Sequence, residues 1–158
     1  MSAREILAHR QKIENIFKKV DTLPKDVEIQ SHWAKYLCVL ISGYLEKSIR
    51  MLYSNYARNT ANANVARFVD NNLKSFQNPK MEKILDIARS FNPEWETQLR
   101  SATEGELKDA IDSIVSNRHL IAHGLDVGLT IIRIRNYYER ASKIVDLIEK
   151  LCKGEKVS

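Results

Sequence analysis

The sequence predicts an all-α fold, an antiparallel helical bundle built around a long second helix. Five glycines and three prolines are spread over 158 residues, so few tight turns are available for the hairpins of a β-sheet protein. Apolar residues instead recur every three or four positions along most of the chain, which is the spacing of amphipathic helices. No repeat or linker divides the sequence, and we expect one helical domain over residues 1–158.

The long second helix has the clearest pattern. A first helix is expected from about Ala3 to Val20, and a connector that contains Pro24 follows it. The second helix then keeps apolar and aromatic residues at helical spacing for about seven turns. These residues are Ile29, Trp33, Tyr36, Leu37, Leu40, Ile41, Tyr44, Leu45, Leu52, Tyr53 and Tyr56. The polar segment 58–64 predicts the end of this helix.

Three shorter helices are expected in the middle of the chain. The first two cover residues 65–76 and 80–91, where apolar positions recur at helical spacing. The third begins at Pro93, with Asn92 as its N-cap. Proline suits this first helical position because the N–H that it lacks would have no partner inside the helix.

Two further helices complete the prediction. Thr103 and Glu106 form a capping-box pattern, which predicts that the sixth helix starts there, and Gly124 predicts its end. Thr130 is the expected N-cap of the last helix. Its apolar positions are Ile134, Tyr137, Tyr138, Ala141, Ile144, Val145, Ile148, Leu151 and Cys152.

Composition and charge narrow the class of protein. The formal net charge of +5 favours a polyanionic partner such as a nucleic acid. No apolar run approaches 18 residues, and the first ten residues are polar, so we expect no membrane span, no signal peptide and a cytoplasmic protein. Cys38 and Cys152 occupy apolar positions and are expected to be free buried thiols. The chain lacks zinc-finger spacing and a glycine-rich phosphate loop, and we expect no cofactor.

An arginine stands on the apolar stripe of the sixth helix. The stripe of Ile111, Ile114 and Val115 continues to Arg118. An unpaired guanidinium is costly to bury, by several kcal/mol. Either the side chain extends to solvent, or it meets an anion. That anion would be a carboxylate of the fold or a phosphate that arrives with a ligand.

Two histidines follow this arginine at the same helix end. His123 lies five residues after Arg118, so the two diverge by roughly 140° around a regular helix. His119 and His123 are four residues apart and share one face. The same spacing suits two metal ligands. His9, His32 and Cys38 show no spacing that supplies a third ligand, and we expect no metal site.

The segment Asn117-Arg118-His119-Leu120-Ile121-Ala122-His123 resembles the R-x(4–6)-H signature of the HEPN superfamily (higher eukaryotes and prokaryotes nucleotide-binding domain). The residue after the arginine in that signature is usually Asn, Asp or His, and here it is His119. The resemblance implies a metal-independent endoribonuclease of a toxin–antitoxin or antiviral defence system. It also implies a two-fold homodimer, in which motif helices face each other across a cleft and form a composite active site.

The residue types of the motif suit RNA cleavage by the 2′-hydroxyl of the RNA itself. Histidine titrates near neutral pH, so His123 is the expected acid or base. Arg118 would stabilise the charge that develops on the phosphorane, since its planar fork binds two phosphate oxygens. Asn117 and His119 would orient the RNA or neighbouring groups. The expected products carry a 2′,3′-cyclic phosphate and a 5′-hydroxyl.

Three further residues are candidates for supporting roles. The resemblance implies an acidic residue on an early helix that meets the motif arginine, and Glu46 stands where that residue would be. The alternative for Glu46 is an i, i+4 ion pair with Arg50, worth a few tenths of a kcal/mol. Arg133 and Arg135 lie away from the apolar stripe of the last helix. They are either ordinary solvated residues or phosphate contacts for RNA.

The sequence also allows an alternative function without catalysis. A catalytically inactive HEPN domain would bind RNA or a partner protein without cutting it. The resemblance also allows an antitoxin or another regulatory protein as a partner. Some HEPN toxins paired with a nucleotidyltransferase antitoxin carry a tyrosine two residues after the motif histidine. Leu125 occupies that position here, so silencing by modification of this residue is not expected.

Overall fold

The computed structural model describes residues 2–157 except for the side chain of Ser2, and within this range it contains helices and no strand. The helices are α1 (Ser2–Asp21), α2 (Val27–Thr60), α3 (Ala63–Leu73), α4 (Met81–Phe91), α5 (Pro93–Thr103), α6 (Glu106–Ala122) and α7 (Ile131–Cys152). The predicted all-α class and the long second helix are confirmed. No helix of the described residues has the length and apolar character needed to cross a bilayer.

Polar side chains set where several helices begin. The Asp26 carboxylate accepts a hydrogen bond from the Ile29 N–H at 3.0 Å, which fixes the start of α2. Asn62 caps α3 in the same way. The expected caps of α5 and α7 are confirmed: Asn92 accepts from the Glu94 N–H, and Thr130 accepts from the Arg133 N–H at 3.1 Å. Each bond satisfies an N–H that the helix itself leaves free.

Three predicted helix boundaries are wrong. The end of α3 lies at Leu73 and not at residue 76. Thr103 is the last residue of α5, and its hydroxyl donates to the Leu99 carbonyl at 2.8 Å instead of capping α6. Gly105, with a φ of 83°, precedes α6 and makes no side-chain cap. The polar break after α2 is also shorter than expected, because the Asn62 cap lets α3 begin only three residues after α2 ends.

Four of the helices, α1, α2, α6 and α7, run along one another. Arg10 on α1 donates to the Tyr44 hydroxyl at 2.7 Å, and that hydroxyl donates to Ser142 on α7. Cys38 on α2 contacts the Ile114 carbonyl of α6 at 3.6 Å. Together with the groove between the starts of α2 and α7, these contacts show that α1 and α6 run opposite to α2, whereas α7 runs in the same direction as α2.

One end of this bundle therefore collects the ends of α1 and α6 and the starts of α2 and α7. We call it the motif end. The other end carries α3 and the α4–α5 pair, which pack on the second half of α2 through stacked rings such as Tyr53 and Phe91, 4.6 Å apart. The buried apolar residues of all seven helices form one continuous core.

Both cysteines are free thiols, as the sequence predicts. Cys38 is buried and Cys152 is half-buried. Burial raises the pKa of each thiol to about 12. Both thiols are therefore protonated at neutral pH, and neither is a candidate nucleophile.

Candidate functional site

Backbone geometry fixes the end of α6 at the motif. Gly124 adopts a φ of 70°, a left-handed conformation that glycine accepts without steric cost. Its N–H donates to the Ile121 carbonyl, and the N–H of Leu125 donates to the Leu120 carbonyl, each at 3.0 Å. These two bonds form a Schellman motif with His123 as the C-cap. Hydrogen bonds thus fix the helix end that carries the motif, and the prediction that α6 ends at Gly124 is confirmed.

The structure brings the two motif histidines together. His119 and His123 are both exposed, and their ring centroids lie 4.5 Å apart with the planes at 62°. The His123 N–H still donates to the His119 carbonyl at 3.2 Å. The helical spacing therefore persists through the last turn, and two imidazoles face solvent side by side.

Arg118 and Asn117 are half-buried beside the histidine pair. Within residues 2–157 the Arg118 guanidinium has no ion-pair partner, and the Asn117 side chain has no hydrogen-bond partner. Arg118 is offset from His123 by five residues, which corresponds to roughly 140° around the helix and 7.5 Å along it. The guanidinium is therefore free to meet an external anion, but one α6 helix does not direct it at the same point as His123.

Glu46 does not contact Arg118, which corrects the expectation for that residue. Its carboxylate accepts a hydrogen bond from the Asn78 N–H at 2.8 Å and lies 3.5 Å from Arg50. The cause is the register between the antiparallel helices α2 and α6. Cys38 lies opposite Ile114, so Glu46 lies about 12 Å further from the motif end along α2, whereas Arg118 lies on the other side of that contact. The i, i+4 alternative is the arrangement observed.

The two arginines on the first turns of α7 differ in their surroundings. Arg133 is exposed, and in the described part of the chain no carboxylate pairs with its side chain. Arg135 is held by the fold, since it donates to Asp21 at 3.0 Å and lies over the Phe17 ring at 4.6 Å. Only Arg133 is fully available to an external phosphate.

Lys35 is a cation at the motif end that sequence reasoning did not single out. Its ammonium lies 3.6 Å from Asp126, in the loop that follows α6. The two residues are far apart in the chain, and no local pattern joins them. The Asp126 carboxylate offsets the positive charge of Lys35 at this end of the bundle.

A groove of about 720 Å³ opens at the same end of the bundle, between the starts of α2 and α7. Val127 and Thr130 from the loop after the motif line it, together with Gln30 and Arg135. Arg118, His119 and His123 are not among its lining residues. In a single chain, then, the three motif residues lie outside this groove.

The described residues do not supply a full set of protein ligands for a metal ion. Within residues 2–157 no group of three or more His, Cys, Asp or Glu side chains is arranged to hold a metal ion. The histidine pair stands as two potential ligands with no third protein ligand beside it.

Comparison with known proteins places the chain in a family. A family model described as RiboL-PSP-HEPN matches residues 4–154, which is nearly the whole chain. No curated protein and no solved structure gives a significant match. The match and the all-helical architecture agree with each other.

Proposed function

This chain belongs to the RiboL-PSP-HEPN family, and we propose that it is a metal-independent endoribonuclease. One observation carries the proposal: two exposed imidazoles, with ring centroids 4.5 Å apart, lie at a helix end that a Schellman motif defines, and the same last turns of α6 carry Arg118, which has no ion-pair partner within residues 2–157. Acid–base groups and a phosphate-binding cation are the two kinds of group that this chemistry needs.

The proposed reaction is transesterification within the RNA. A base removes the proton of the 2′-hydroxyl, the 2′-oxygen bonds to phosphorus, and the bond from phosphorus to the 5′-oxygen breaks as an acid protonates the leaving oxygen. His123 supplies the acid or the base, and Arg118 neutralises the charge on the pentacoordinate phosphorus. His119 and Asn117 orient the RNA. The products are a 2′,3′-cyclic phosphate and a 5′-hydroxyl.

We further propose that the active site is composite and forms in a homodimer. In one chain, Arg118 and His123 are offset by roughly 140° around the axis of α6, and neither lines the groove at the motif end. A two-fold axis next to the C-terminal end of α6 would bring the arginine of one chain opposite the histidine of the other. The free state of both side chains in the single chain supports this arrangement.

RNA binding is assigned to the cations of the motif end. Arg133 is the principal candidate because its side chain is exposed and unpaired in the described structure. Arg135 is a weaker candidate, since any phosphate must compete with Asp21 and with the Phe17 ring. A role in a toxin–antitoxin or antiviral defence system, with a regulatory partner protein, follows from the family resemblance and completes the proposal.

Cleavage of RNA by purified protein tests this function. Wild type is expected to cut RNA in the presence of EDTA, and His123→Ala to lose at least about 100-fold in rate, because general acid–base catalysis contributes factors of that size. His32→Ala is the matched control, since His32 is also exposed and lies 3.8 Å from Glu28, away from the motif. Equal rates for wild type and His123→Ala would overturn the assignment.

The second candidate is an inactive HEPN domain that binds RNA or a partner protein. The exposure of His119 and His123 in a single chain favours it, because exposed imidazoles outside the groove at the motif end do not enclose a substrate. The same assay separates the two. RNA that binds without being cut, by wild type and by His123→Ala alike, would support this second function.

A further inference from the structure

The distance between the two histidine rings at the end of α6 matches that of two imidazoles that share one metal ion. In protein sites an imidazole nitrogen lies about 2.0–2.1 Å from the metal, which puts each ring centre about 3.2 Å from it. When the two nitrogen–metal bonds make a right angle or the tetrahedral angle, the ring centres lie about 4.5–5.2 Å apart. The observed centroid distance between His119 and His123 is 4.5 Å.

We propose that His119 and His123 chelate a divalent transition-metal ion such as Zn²⁺, and that this ion inhibits the ribonuclease activity. A metal binds the lone pair of the same ring nitrogen that would accept or deliver the proton in RNA cleavage. An imidazole that holds a metal therefore cannot act as acid or base. The inhibition rests on the proposed function, whereas the binding of the metal does not.

The site would be open, with water in the remaining coordination positions. No third protein ligand is present in residues 2–157, and the positive Arg118 lies one residue before His119. Both features weaken the hold on a cation, so chelators should remove it and the fold should not depend on it. Imidazole ligands favour Cu²⁺ over Ni²⁺ and Co²⁺, with Mn²⁺ weaker, whereas Mg²⁺ prefers oxygen.

Calorimetric titration of purified protein with Zn²⁺ and Ni²⁺ tests the binding. We expect wild type to bind no more than one ion per chain at this site, and His119→Ala and His123→Ala each to lose at least about tenfold in affinity, because each removes one of two protein ligands. His32→Ala should bind as wild type does. Unchanged affinity in both motif variants, or equal affinity for Mg²⁺ and Ni²⁺, would overturn the site.

A cleavage assay with Zn²⁺ and then excess EDTA tests the inhibition. We expect RNA cleavage to fall as the measured site fills and to return when EDTA is added. Binding of zinc with full cleavage activity in its presence would overturn the inhibition. Binding with no cleavage in EDTA would contradict the ribonuclease proposal and leave the metal site supported. Cleavage that zinc does not affect, in a protein that binds none, would contradict only the present inference.

Discussion

Two buried tyrosines of α2 differ in what their hydroxyl groups contact. The Tyr44 hydroxyl accepts a hydrogen bond from Arg10 at 2.7 Å and contacts Ser142. The Tyr53 ring is fully buried against Phe91, but its hydroxyl has no partner within residues 2–157. A buried polar group without a partner costs free energy, whereas a paired one contributes to stability.

Replacing each tyrosine with phenylalanine should therefore change the stability in different ways. Tyr44→Phe should lower the free energy of unfolding by about 1–2 kcal/mol, because the Arg10 guanidinium loses a partner. Tyr53→Phe should leave it unchanged or raise it by up to about 1 kcal/mol. Urea denaturation followed by circular dichroism measures both. A larger loss for Tyr53→Phe than for Tyr44→Phe would contradict the contacts described.

The two arginines of α7 provide a second test at the residue scale. Each phosphate contact steepens the dependence of log affinity on log salt concentration by about 0.7 for single strands. Arg133→Ala should reduce this slope by about that amount, and Arg135→Ala by clearly less, because Asp21 already pairs with Arg135. RNA anisotropy titrations at several salt concentrations, on a His123→Ala background that prevents cleavage, give the slopes. A slope unchanged by Arg133→Ala would show that Arg133 does not contact an RNA phosphate.

At the scale of the elements, the end of α6 has a close counterpart in the same chain. Gly154 ends α7 with a φ of 81° and the same pair of hydrogen bonds that Gly124 makes possible at the end of α6. An alanine at either position must adopt a left-handed conformation, which costs about 1–2 kcal/mol. The two glycines thus form a matched pair, one at the motif end and one at the other end of α7.

Gly124→Ala and Gly154→Ala should therefore cost similar stability but differ in activity. Gly124→Ala places this backbone strain in the turn next to His123, and any shift that relieves the strain displaces the imidazole. Small displacements of catalytic groups cost large factors in rate, so we expect a loss of at least about tenfold in kcat. Gly154→Ala should keep nearly full activity. Thermal denaturation and RNA cleavage rates measure the two effects. Equal rates in the two variants would show that the end of α6 does not position the chemistry.

Local sequence patterns predicted the helices well and their boundaries less well. The apolar spacing from Ile29 to Tyr56 is a property of α2 alone, and it correctly indicated the long helix. The Thr103–Glu106 pattern failed because a capping box does not reveal whether the preceding helix has already ended. The prediction that α6 ends at Gly124 was correct, because the hydrogen bonds that the left-handed conformation allows join residues that are close in the chain.

At the scale of the whole molecule, contacts between distant segments limit what the sequence reveals about the site. The separation of Glu46 from Arg118 depends on the register between α2 and α6, whereas the i, i+4 pairing of Glu46 with Arg50 is local to α2. The contact between Lys35 and Asp126 depends on the same register. The close approach of His119 and His123, in contrast, lies within one helix turn and follows directly from their spacing.

The proposed composite site can be tested with dimers that contain two different variants. Arg118→Ala and His123→Ala should each be inactive alone. If the two side chains act across a two-fold axis, refolding equal amounts together yields mixed dimers in which one of two sites is intact. Random pairing makes about half of the dimers mixed, so about a quarter of wild-type activity should return. Recovery of no activity above the single variants would show that the site lies within one chain.

The ends of the cleaved RNA test the central claim most directly. Wild-type protein incubated with RNA in excess EDTA should leave 2′,3′-cyclic phosphate and 5′-hydroxyl ends, because the proposed attacking group is the 2′-hydroxyl and the proposed acid or base is His123. Mass spectrometry of the fragments identifies both ends. Fragments with 5′-phosphate ends, or cleavage that starts only when Mg²⁺ is supplied, would contradict the account.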